Sequence, residues 1–204
     1  MSSTPVQIVR YDNRALTNAL LQTDLRPRVL VEVEQEWGPF RRNAARRLVQ
    51  GGTPPQEVPT HWHWDWGAKS QNLELLAYRC FGIECDRKMQ GLMMVLTAGK
   101  QARLAPDSGK PVVYIDYLES APWNVIPLVV VPIYAGIGMV LMRAAIQLSL
   151  DEGFHGRVAL HALPQAEEFY RDKCRMQGSG SDAQYQNLPY FEMTRDLAHQ
   201  FLTT

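Results

Sequence analysis

Hydrophobic positions recur at strand-like and helix-like intervals in the first third of the chain. Residues 6–11 alternate between apolar and polar side chains and predict a first strand, and residues 14–23 predict a short helix. Residues 29–50 are rich in helix formers and end at Gly51-Gly52, which is typical of a helix C-terminus. Because Gly38-Pro39 lies inside this segment, we expect a break or two consecutive helices there.

The rest of the chain alternates between strand and helix patterns. Two apolar runs joined by a turn near Cys85-Asp86 suit a central sheet. An apolar stripe with helical spacing starts at Gly138 and stops at Gly153. After residue 70 the pattern predicts strands at 73–84, 88–97, 112–118, 157–163 and 190–194, a helix at 138–153 and a short helix at 164–173. This order indicates a single α/β or α+β domain.

Composition and charge exclude several classes of partner. The 204 residues carry 21 basic and 21 acidic side chains, so no net charge attracts the chain to nucleic acid or to an anionic membrane. Residues 123–142 contain no charged side chain, but Pro127 and Pro132 would interrupt a spanning helix, and we assign the segment to the core. The three cysteines form no CxxC pair, and the N-terminus lacks a signal-peptide pattern. We therefore expect a cytoplasmic protein without nucleic-acid or membrane partners.

The segment Ala135-Gly136-Ile137-Gly138 stands between apolar sequence and a predicted helix. Glycines let backbone N–H groups approach a ligand, and a helix N-terminus adds a partial positive charge. Such a unit can bind a pyrophosphate group without a lysine. Close packing of a helix against a strand explains the two glycines about equally well, so both interpretations stay open at this point.

Four segments of the second half follow one another in a defined order. VVYIDYLESAPWN (112–124) is a strand with its following turn, and YAGIGMVLMRAAI (134–146) is the glycine turn with its helix. LHALPQAEEFYRDKCRM (160–176) is a strand and a short helix, and LPYFEMT (188–194) is a closing strand. This succession resembles the GNAT (general-control-type N-acetyltransferase) superfamily. The resemblance implies an N-acetyltransferase that moves an acetyl or other short acyl group from acetyl-CoA to a primary amine.

The resemblance also implies a fold and a division of labour along the chain. We expect residues 1–204 to form a single GNAT-like domain, with a mixed, mostly antiparallel central sheet flanked by helices. Residues 1–111 would then supply the acceptor side, and residues 112–194 would bind acyl-CoA. The acceptor would be a small-molecule or peptide amine, and a homodimer is a family habit.

Cofactor-binding residues are likewise carried over from the resemblance. The backbone of Leu118, Glu119 and Ser120 would pair with the amides of the pantetheine arm of acetyl-CoA. One of their N–H groups could also stabilise the oxyanion of the reaction intermediate. The expected pyrophosphate contacts are Tyr134, Ala135, Gly136, Ile137 and Gly138.

The resemblance implies three candidate catalytic side chains. Tyr170 matches a tyrosine that protonates the departing thiolate, although core packing would also explain an aromatic residue there. Asp116 and Glu119 are the nearest carboxylates for the base, and either could instead be a surface charge. Strand alternation places them on opposite faces, unless a bulge intervenes. Apolar neighbours would raise the pKa of Asp116, which favours it as the base.

Three features depart from the family pattern. Ile133 stands where the family normally has arginine or glutamine, and Arg175 stands where it often has glycine. Residues 120–132 are also longer than the usual linker and predict an inserted loop. A non-catalytic CoA-binding or assembly module with a GNAT-like fold therefore stays as the alternative function.

Residues 61–66 read His-Trp-His-Trp-Asp-Trp and lie in the half of the chain from which the resemblance implies the acceptor pocket is built. On a strand, His61, His63 and Asp65 would share one face and could bind a metal ion, but no fourth ligand is evident. The three tryptophans would share the other face, where they could pack or line an acceptor pocket through cation–π contact. We predict no metal site.

Overall fold

The computed structural model describes residues 2–203, which divide into two compact units. The first unit contains the residues up to Leu92 and Glu119–Val140, and the second contains Met93–Leu118 and the residues from Leu141 onward. Helices accompany a mostly antiparallel sheet, so the predicted α/β fold class is confirmed.

Strands and helices alternate along the described chain. The strands are β1 (Ser2–Arg10), β2 (Leu16–Thr23), β3 (Tyr78–Cys85), β4 (Lys88–Leu96), β5 (Val113–Ser120), β6 (Tyr134–Ala135), β7 (Val158–His161), β8 (Gln177–Asp182) and β9 (Leu188–Met193). The α-helices are α1 (Pro27–Gln50), α2 (Trp66–Lys69), α3 (Ile137–Asp151) and α4 (Arg195–Thr203). Short 3₁₀ turns lie at Pro55–Glu57, Thr60–His63, Ser70–Glu74, Pro122–Asn124, Pro164–Ala166 and Ala183–Tyr185, and a π-helical turn lies at Phe169–Lys173.

The first unit begins with an antiparallel hairpin of β1 and β2, and its strand order is β6-β1-β2-β3-β4. The register runs from Ser2 opposite Thr23 to Val9 opposite Leu16. The helix predicted at 14–23 is therefore wrong. Because β2 pairs with β1 on one side and with β3 on the other, its backbone groups are satisfied across strands. A short isolated helix has no comparable support from packing.

Helix α1 runs without interruption through Pro39, so the predicted break at Gly38-Pro39 is wrong. Burial of one face stabilises the helix and offsets the hydrogen bond that Pro39 cannot donate. Gly38 provides space, since a Cβ atom there would lie 2.0 Å from the Glu34 carboxylate. The buried residues of α1 include Leu30, Val33, Trp37, Arg41, Ala44 and Ala45.

The second unit has the strand order β4-β5-β7-β9-β8. Strands β5 and β7 are parallel, with Val113 opposite Val158, whereas β7 and β9 are antiparallel. Strand β8 was not predicted because its sequence, QGSGSD, contains no apolar residue; it forms along β9. Helix α4 was also missed, although Ala198 and Phe201 of this helix are buried.

The uncharged segment 123–142 forms a loop, β6 and the start of α3 rather than one helix. Its assignment to the core holds for Leu128 and Tyr134, which are buried, but not for Ile126 and Val130, which are exposed. No helix within residues 2–203 is both long enough and apolar enough to cross a membrane.

Candidate functional site

A cleft of about 270 Å³ opens in the first unit beside the glycine turn. Among the predicted cofactor-binding residues, Ser120 and residues 134–138 line it together. We call it the glycine-turn cleft. Its lining residues are Tyr11, Ser120, Asn124, Ile126, Pro132, Tyr134, Ala135, Gly136, Ile137 and Gly138.

The glycine turn presents backbone donors at the start of α3. Gly136 has a φ of +83°, which favours glycine, and a Cβ atom there would meet nothing within 4 Å. Helix α3 begins at the next residue, Ile137. The first N–H groups of a helix have no acceptor within the helix, and the helix dipole adds positive potential there. The turn is therefore open to an anionic ligand.

A buried glutamine holds the frame of this cleft. The Gln90 side chain, only 2% exposed, accepts hydrogen bonds from the Trp123 indole at 2.9 Å and from the Asn124 amide at 3.0 Å. Asn124 in turn accepts a hydrogen bond from the Tyr134 backbone N–H at 2.9 Å. The Tyr134 hydroxyl donates to Asp86. This network fixes the inserted loop against the glycine turn.

Two arginines beside the cleft were missed by the sequence analysis. The Arg14 guanidinium lies 4.9 Å from the centre of the Tyr11 ring, and the Arg10 guanidinium lies 5.9 Å from the centre of the Tyr134 ring. Both rings line the cleft. Arg10 reaches it because β1 pairs with β6, which places Arg10 opposite Tyr134. No local signal could have revealed a pairing across more than a hundred residues.

Glu119 belongs to a buried ionic cluster rather than to the lining of the cleft. Its carboxylate accepts hydrogen bonds from Arg41 at 2.8 Å and from the Trp66 indole at 2.6 Å. Arg41 also donates to Glu34 at 3.0 Å and to the Trp62 carbonyl at 3.2 Å. We call Arg41, Glu34, Trp66 and Glu119 the Arg41 cluster. Burial raises the pKa of Glu119 to about 7, against the opposing effect of Arg41.

The aromatic run does not form a strand. His61 and His63 lie in a 3₁₀ turn, and Asp65 caps α2 by accepting a hydrogen bond from the Ala68 N–H at 2.9 Å. The shared face on which a metal-binding arrangement depended is therefore absent from residues 61–65. Within residues 2–203, no group of three or more His, Cys, Asp or Glu side chains could hold a metal ion.

The tryptophans of this run also have different environments. Trp66 is fully buried, where its indole serves the Arg41 cluster, and Trp62 is half exposed beside Arg42 and Arg46. His61 is buried, with its Nε2 atom 3.7 Å from the Glu119 carboxylate. Burial, reinforced by the charge of Arg41, lowers the pKa of His61 to about 4.

A second polar cluster lies in the second unit around His161. Its Nδ1 atom is 2.7 Å from the Tyr114 hydroxyl, and its Nε2 atom is 3.1 Å from the Asp182 carboxylate. Burial lowers the pKa of His161, so the ring is neutral near pH 7. The carboxylate can only accept, so Nε2 carries the proton and Nδ1 accepts from Tyr114. We call Tyr114, His161, Asp182 and Tyr185 the His161 cluster, since Tyr185 stacks on the imidazole.

Comparison with known proteins identifies the fold. No protein-family model matches the sequence, and no curated protein matches it either. A GNAT-family acetyltransferase from Listeria monocytogenes 4b F2365 matches with a TM-score of 0.53 at 14% identity, over 92% of this chain and 98% of that one. The chain has a GNAT fold.

Two further structures match the same GNAT fold. The aminoglycoside acetyltransferase AAC(6')-Ib, solved with coenzyme A and kanamycin, matches with a TM-score of 0.55 at 15% identity, over 88% of this chain and 98% of that one. RimJ of Mycobacterium smegmatis, solved with CoA-disulfide, matches with a TM-score of 0.51 at 13% identity, over 100% of this chain and 97% of that one. At such identities the likeness concerns the fold alone.

The remaining predicted site residues of this GNAT fold lie in the second unit. Tyr170 is buried in the π-helical turn, 6.2 Å from the Phe191 ring between centres, and burial raises its pKa. Asp116 and Leu118 are half-buried on β5. The Tyr170 hydroxyl is therefore protonated at neutral pH. Ile133 is 44% exposed, so the position without its usual basic or amide side chain faces solvent.

Proposed function

We propose that this chain transfers an acetyl group from acetyl-CoA to a primary amine. The observation that carries the proposal is the glycine-turn cleft, where Ser120 from the end of β5 meets the N-terminus of α3. An open cleft with backbone donors at its floor suits a pyrophosphate group. The coenzyme A and CoA-disulfide present in the similar GNAT-fold structures support the same donor.

The donor would be held mainly by backbone groups. N–H groups of Gly136, Ile137 and Gly138 bind the pyrophosphate, with Tyr134 and Ala135 alongside. The backbone of residues 118–120 pairs with the amides of the pantetheine arm. Arg14 supplies the positive charge that Ile133 lacks, whereas Arg10 is paired with Asp12 at 3.4 Å. This division of roles explains how the cleft can work without the family's usual basic or amide residue.

Two side chains would carry the proton transfers. Acetyl-CoA supplies the thioester whose carbonyl carbon the amine attacks. Asp116 accepts the proton that leaves the amine nitrogen, and Tyr170 gives a proton to the sulfur as the carbon–sulfur bond breaks. Glu119 is the weaker candidate for the base because Arg41 and Trp66 already bind its carboxylate. We assign Glu119 instead to positioning the end of β5.

Thermal stabilisation by acetyl-CoA, followed by thiol release with a panel of primary amines, tests the proposal. We expect stabilisation and release together. Stabilisation without release on any amine would favour the non-catalytic CoA-binding module, and no response to acetyl-CoA would exclude both functions.

A matched pair of glycine variants locates the donor. Gly136→Ala and Gly52→Ala each place a Cβ atom at a φ near +82° with nothing within 4 Å, so they impose similar backbone strain. Only Gly136 lines the cleft. Gly136→Ala should weaken acetyl-CoA binding about tenfold relative to Gly52→Ala.

Arg14→Ala should raise the KM for acetyl-CoA about threefold, in a salt-dependent way. Arg28→Ala on α1 serves as its control.

A further inference from the structure

The ammonium group of Lys100 lies between two tyrosine rings in the second unit. Its Nζ atom is 4.9 Å from the centre of the Tyr114 ring and 5.0 Å from the centre of the Tyr185 ring. It also donates a hydrogen bond to the Tyr185 hydroxyl. The ring centres are 6.2 Å apart, with 51° between their planes. The two rings form a V that holds one ammonium group at ordinary cation–π distances. We call it the tyrosine V.

Neighbouring residues hold both walls of the tyrosine V in place. Tyr114 is fixed by its hydrogen bond to His161, and Tyr185 stacks on the same imidazole at 3.8 Å between ring centres with 4° between planes. Asp182 fixes the other nitrogen of that imidazole. A binding site whose walls are already ordered loses little conformational entropy when a ligand enters. The tyrosine V is therefore a preformed site for an ammonium group.

Charges of both signs surround the tyrosine V. Arg103 neutralises Asp182 through a contact of 2.6 Å between Nη1 and Oδ2. Asp116 supplies a negative charge that acts on Tyr114: after burial and the neighbouring Tyr185, this charge raises the pKa of the Tyr114 hydroxyl, against the smaller opposing effect of Arg103. A cation held by the rings thus gains from Asp116 as well as from the ring faces.

Lys100 can leave the tyrosine V without any change of the backbone. Its carbonyl accepts a hydrogen bond from the Val112 N–H at 3.3 Å, which holds the main chain of the segment between β4 and β5. The side chain is half-buried and follows the exposed residues Ala98 and Gly99. A flexible four-carbon stem can swing the ammonium group into solvent.

Strand geometry relates the tyrosine V to the proposed base. Tyr114 and Asp116 are two residues apart on β5, so their side chains leave the same face about 7 Å from each other. We propose that the tyrosine V binds the second ammonium group of a diamine acceptor, while Asp116 receives the reacting amine. Lys100 occupies the site when no acceptor is bound. This inference rests on the proposed function and adds the substrate class to it.

Cadaverine and n-pentylamine provide the test, because they share one carbon chain and differ only in the second amine. With acetyl-CoA, the wild type should use cadaverine with a kcat/KM about tenfold higher than that of n-pentylamine. Lys100→Met removes the competing ammonium and should widen this ratio about threefold or more. Lys100→Arg keeps a cation at this position and should leave the ratio of the two kcat/KM values unchanged. Tyr185→Leu should narrow the ratio to less than about threefold.

Calorimetric titration of cadaverine supplies a readout independent of turnover. Lys100→Met should tighten binding and Tyr185→Leu should weaken it, with urea unfolding confirming that both variants fold. Equal use of the two amines by the wild type, or cadaverine affinity unchanged by Lys100→Met, would overturn the inference. Transfer to other primary amines but to neither of these two would overturn the inference and leave the proposed function intact. Absence of transfer to every amine would instead count against the proposed function, and the titration would still decide whether the tyrosine V binds a second ammonium.

Discussion

The Arg41 cluster and the His161 cluster both bury polar groups beside β5, but they differ in charge and in the exposure of the arginine that pairs with a carboxylate. In the Arg41 cluster the side chains of Arg41 and Glu119 are 0% and 1% exposed, so the contact between them is closed to water. In the His161 cluster the imidazole is neutral, and the charged Asp182 remains partly exposed. Each cluster has one carboxylate near its surface, since Glu34 is 12% and Asp182 is 14% exposed. The clusters differ in their cation, because Arg41 is fully buried whereas Arg103, which pairs with Asp182, is 43% exposed.

The difference separates two uses of buried polar groups. A sealed ion pair must keep both partners, because a single charge left in the interior is strongly destabilising. Such a cluster is suited to holding α1, α2 and β5 in fixed positions. A neutral cluster with an exposed charged edge can exchange one cation for another at lower cost. We therefore assign positioning to the Arg41 cluster and ligand exchange to the His161 cluster, where Lys100 lies.

Removal of Arg41 from its cluster and of Arg103 beside the His161 cluster should have the most different effects on stability. Arg41→Met leaves the carboxyl groups of Glu34 and Glu119 and the carbonyls of Trp62 and Trp64 without their buried donor, and should lower the free energy of unfolding by about 3–5 kcal/mol. Arg103→Met removes a cation whose side chain is 43% exposed and should cost less than about 1 kcal/mol. Urea unfolding at neutral pH measures both. Similar losses for the two variants would show that the exposure of the arginine does not distinguish the two clusters.

The free energy of unfolding should depend on pH through two buried groups in and beside the Arg41 cluster, Glu119 and His61. Since the folded pKa of Glu119 is raised from 4.5 to about 7, its contribution is complete below pH 4.5 and is lost as the pH rises through 7. Since the folded pKa of His61 is lowered from 6.5 to about 4, its contribution is present above pH 6.5 and is lost as the pH falls through 4. The two effects oppose each other between these limits.

Single substitutions should expose each effect in turn. Relative to the wild type, Glu119→Gln should make the free energy of unfolding rise more steeply with pH between 4.5 and 7. His61→Gln should make the free energy of unfolding rise less steeply with pH between 4 and 6.5 than it does in the wild type. Each change should total roughly 3 kcal/mol across its window. Urea unfolding at several pH values measures the slopes, and parallel curves for all three proteins would contradict the assignment.

Turnover should distinguish the two carboxylates of β5. Asp116→Asn should lower kcat about a hundredfold, because the proposed proton acceptor is lost. Glu119→Gln should lower kcat less than about fivefold, since its carboxylate serves Arg41 and Trp66, and its main effect should be on stability. Thiol release with acetyl-CoA and the best amine of the panel measures both. A larger loss of kcat in Glu119→Gln would reverse the assignment.

Sequence patterns predicted the elements whose apolar side chains recur with a regular period. The apolar stripe at 138–153 predicted α3, and apolar runs predicted β4, β5 and β7, because these elements bury side chains with a regular period. The segment 14–23 was taken for a helix because its period is ambiguous, and its pairing with β1 and β3 decides the outcome. Strand β8 has no apolar side chain, so only its pairing with β9 identifies it as a strand.

The candidate site likewise contains residues that the sequence could reveal and residues that only tertiary packing brings together. The glycine turn could be recognised because its residue types and its helix are adjacent in the chain. Arg10, Arg14 and Gln90 could not, because strand pairing and loop packing bring them to the cleft from distant positions. The same holds for the partners of Glu119, which come from α1 and from the tryptophan of α2.

By itself, the sequence determined the fold class, the strand–glycine-turn–helix order and the GNAT resemblance, because local periodicity and adjacent motifs carry that information. Tertiary structure alone decided the roles of the polar side chains. Tertiary packing buries Glu119 in contact with Arg41 and brings Arg14 close to the glycine turn, where Ile133 is apolar. It also places the ammonium group of Lys100 between the rings of Tyr114 and Tyr185. A side chain's charge state and availability depend on the neighbours that burial brings to it, and those neighbours are distant in the sequence.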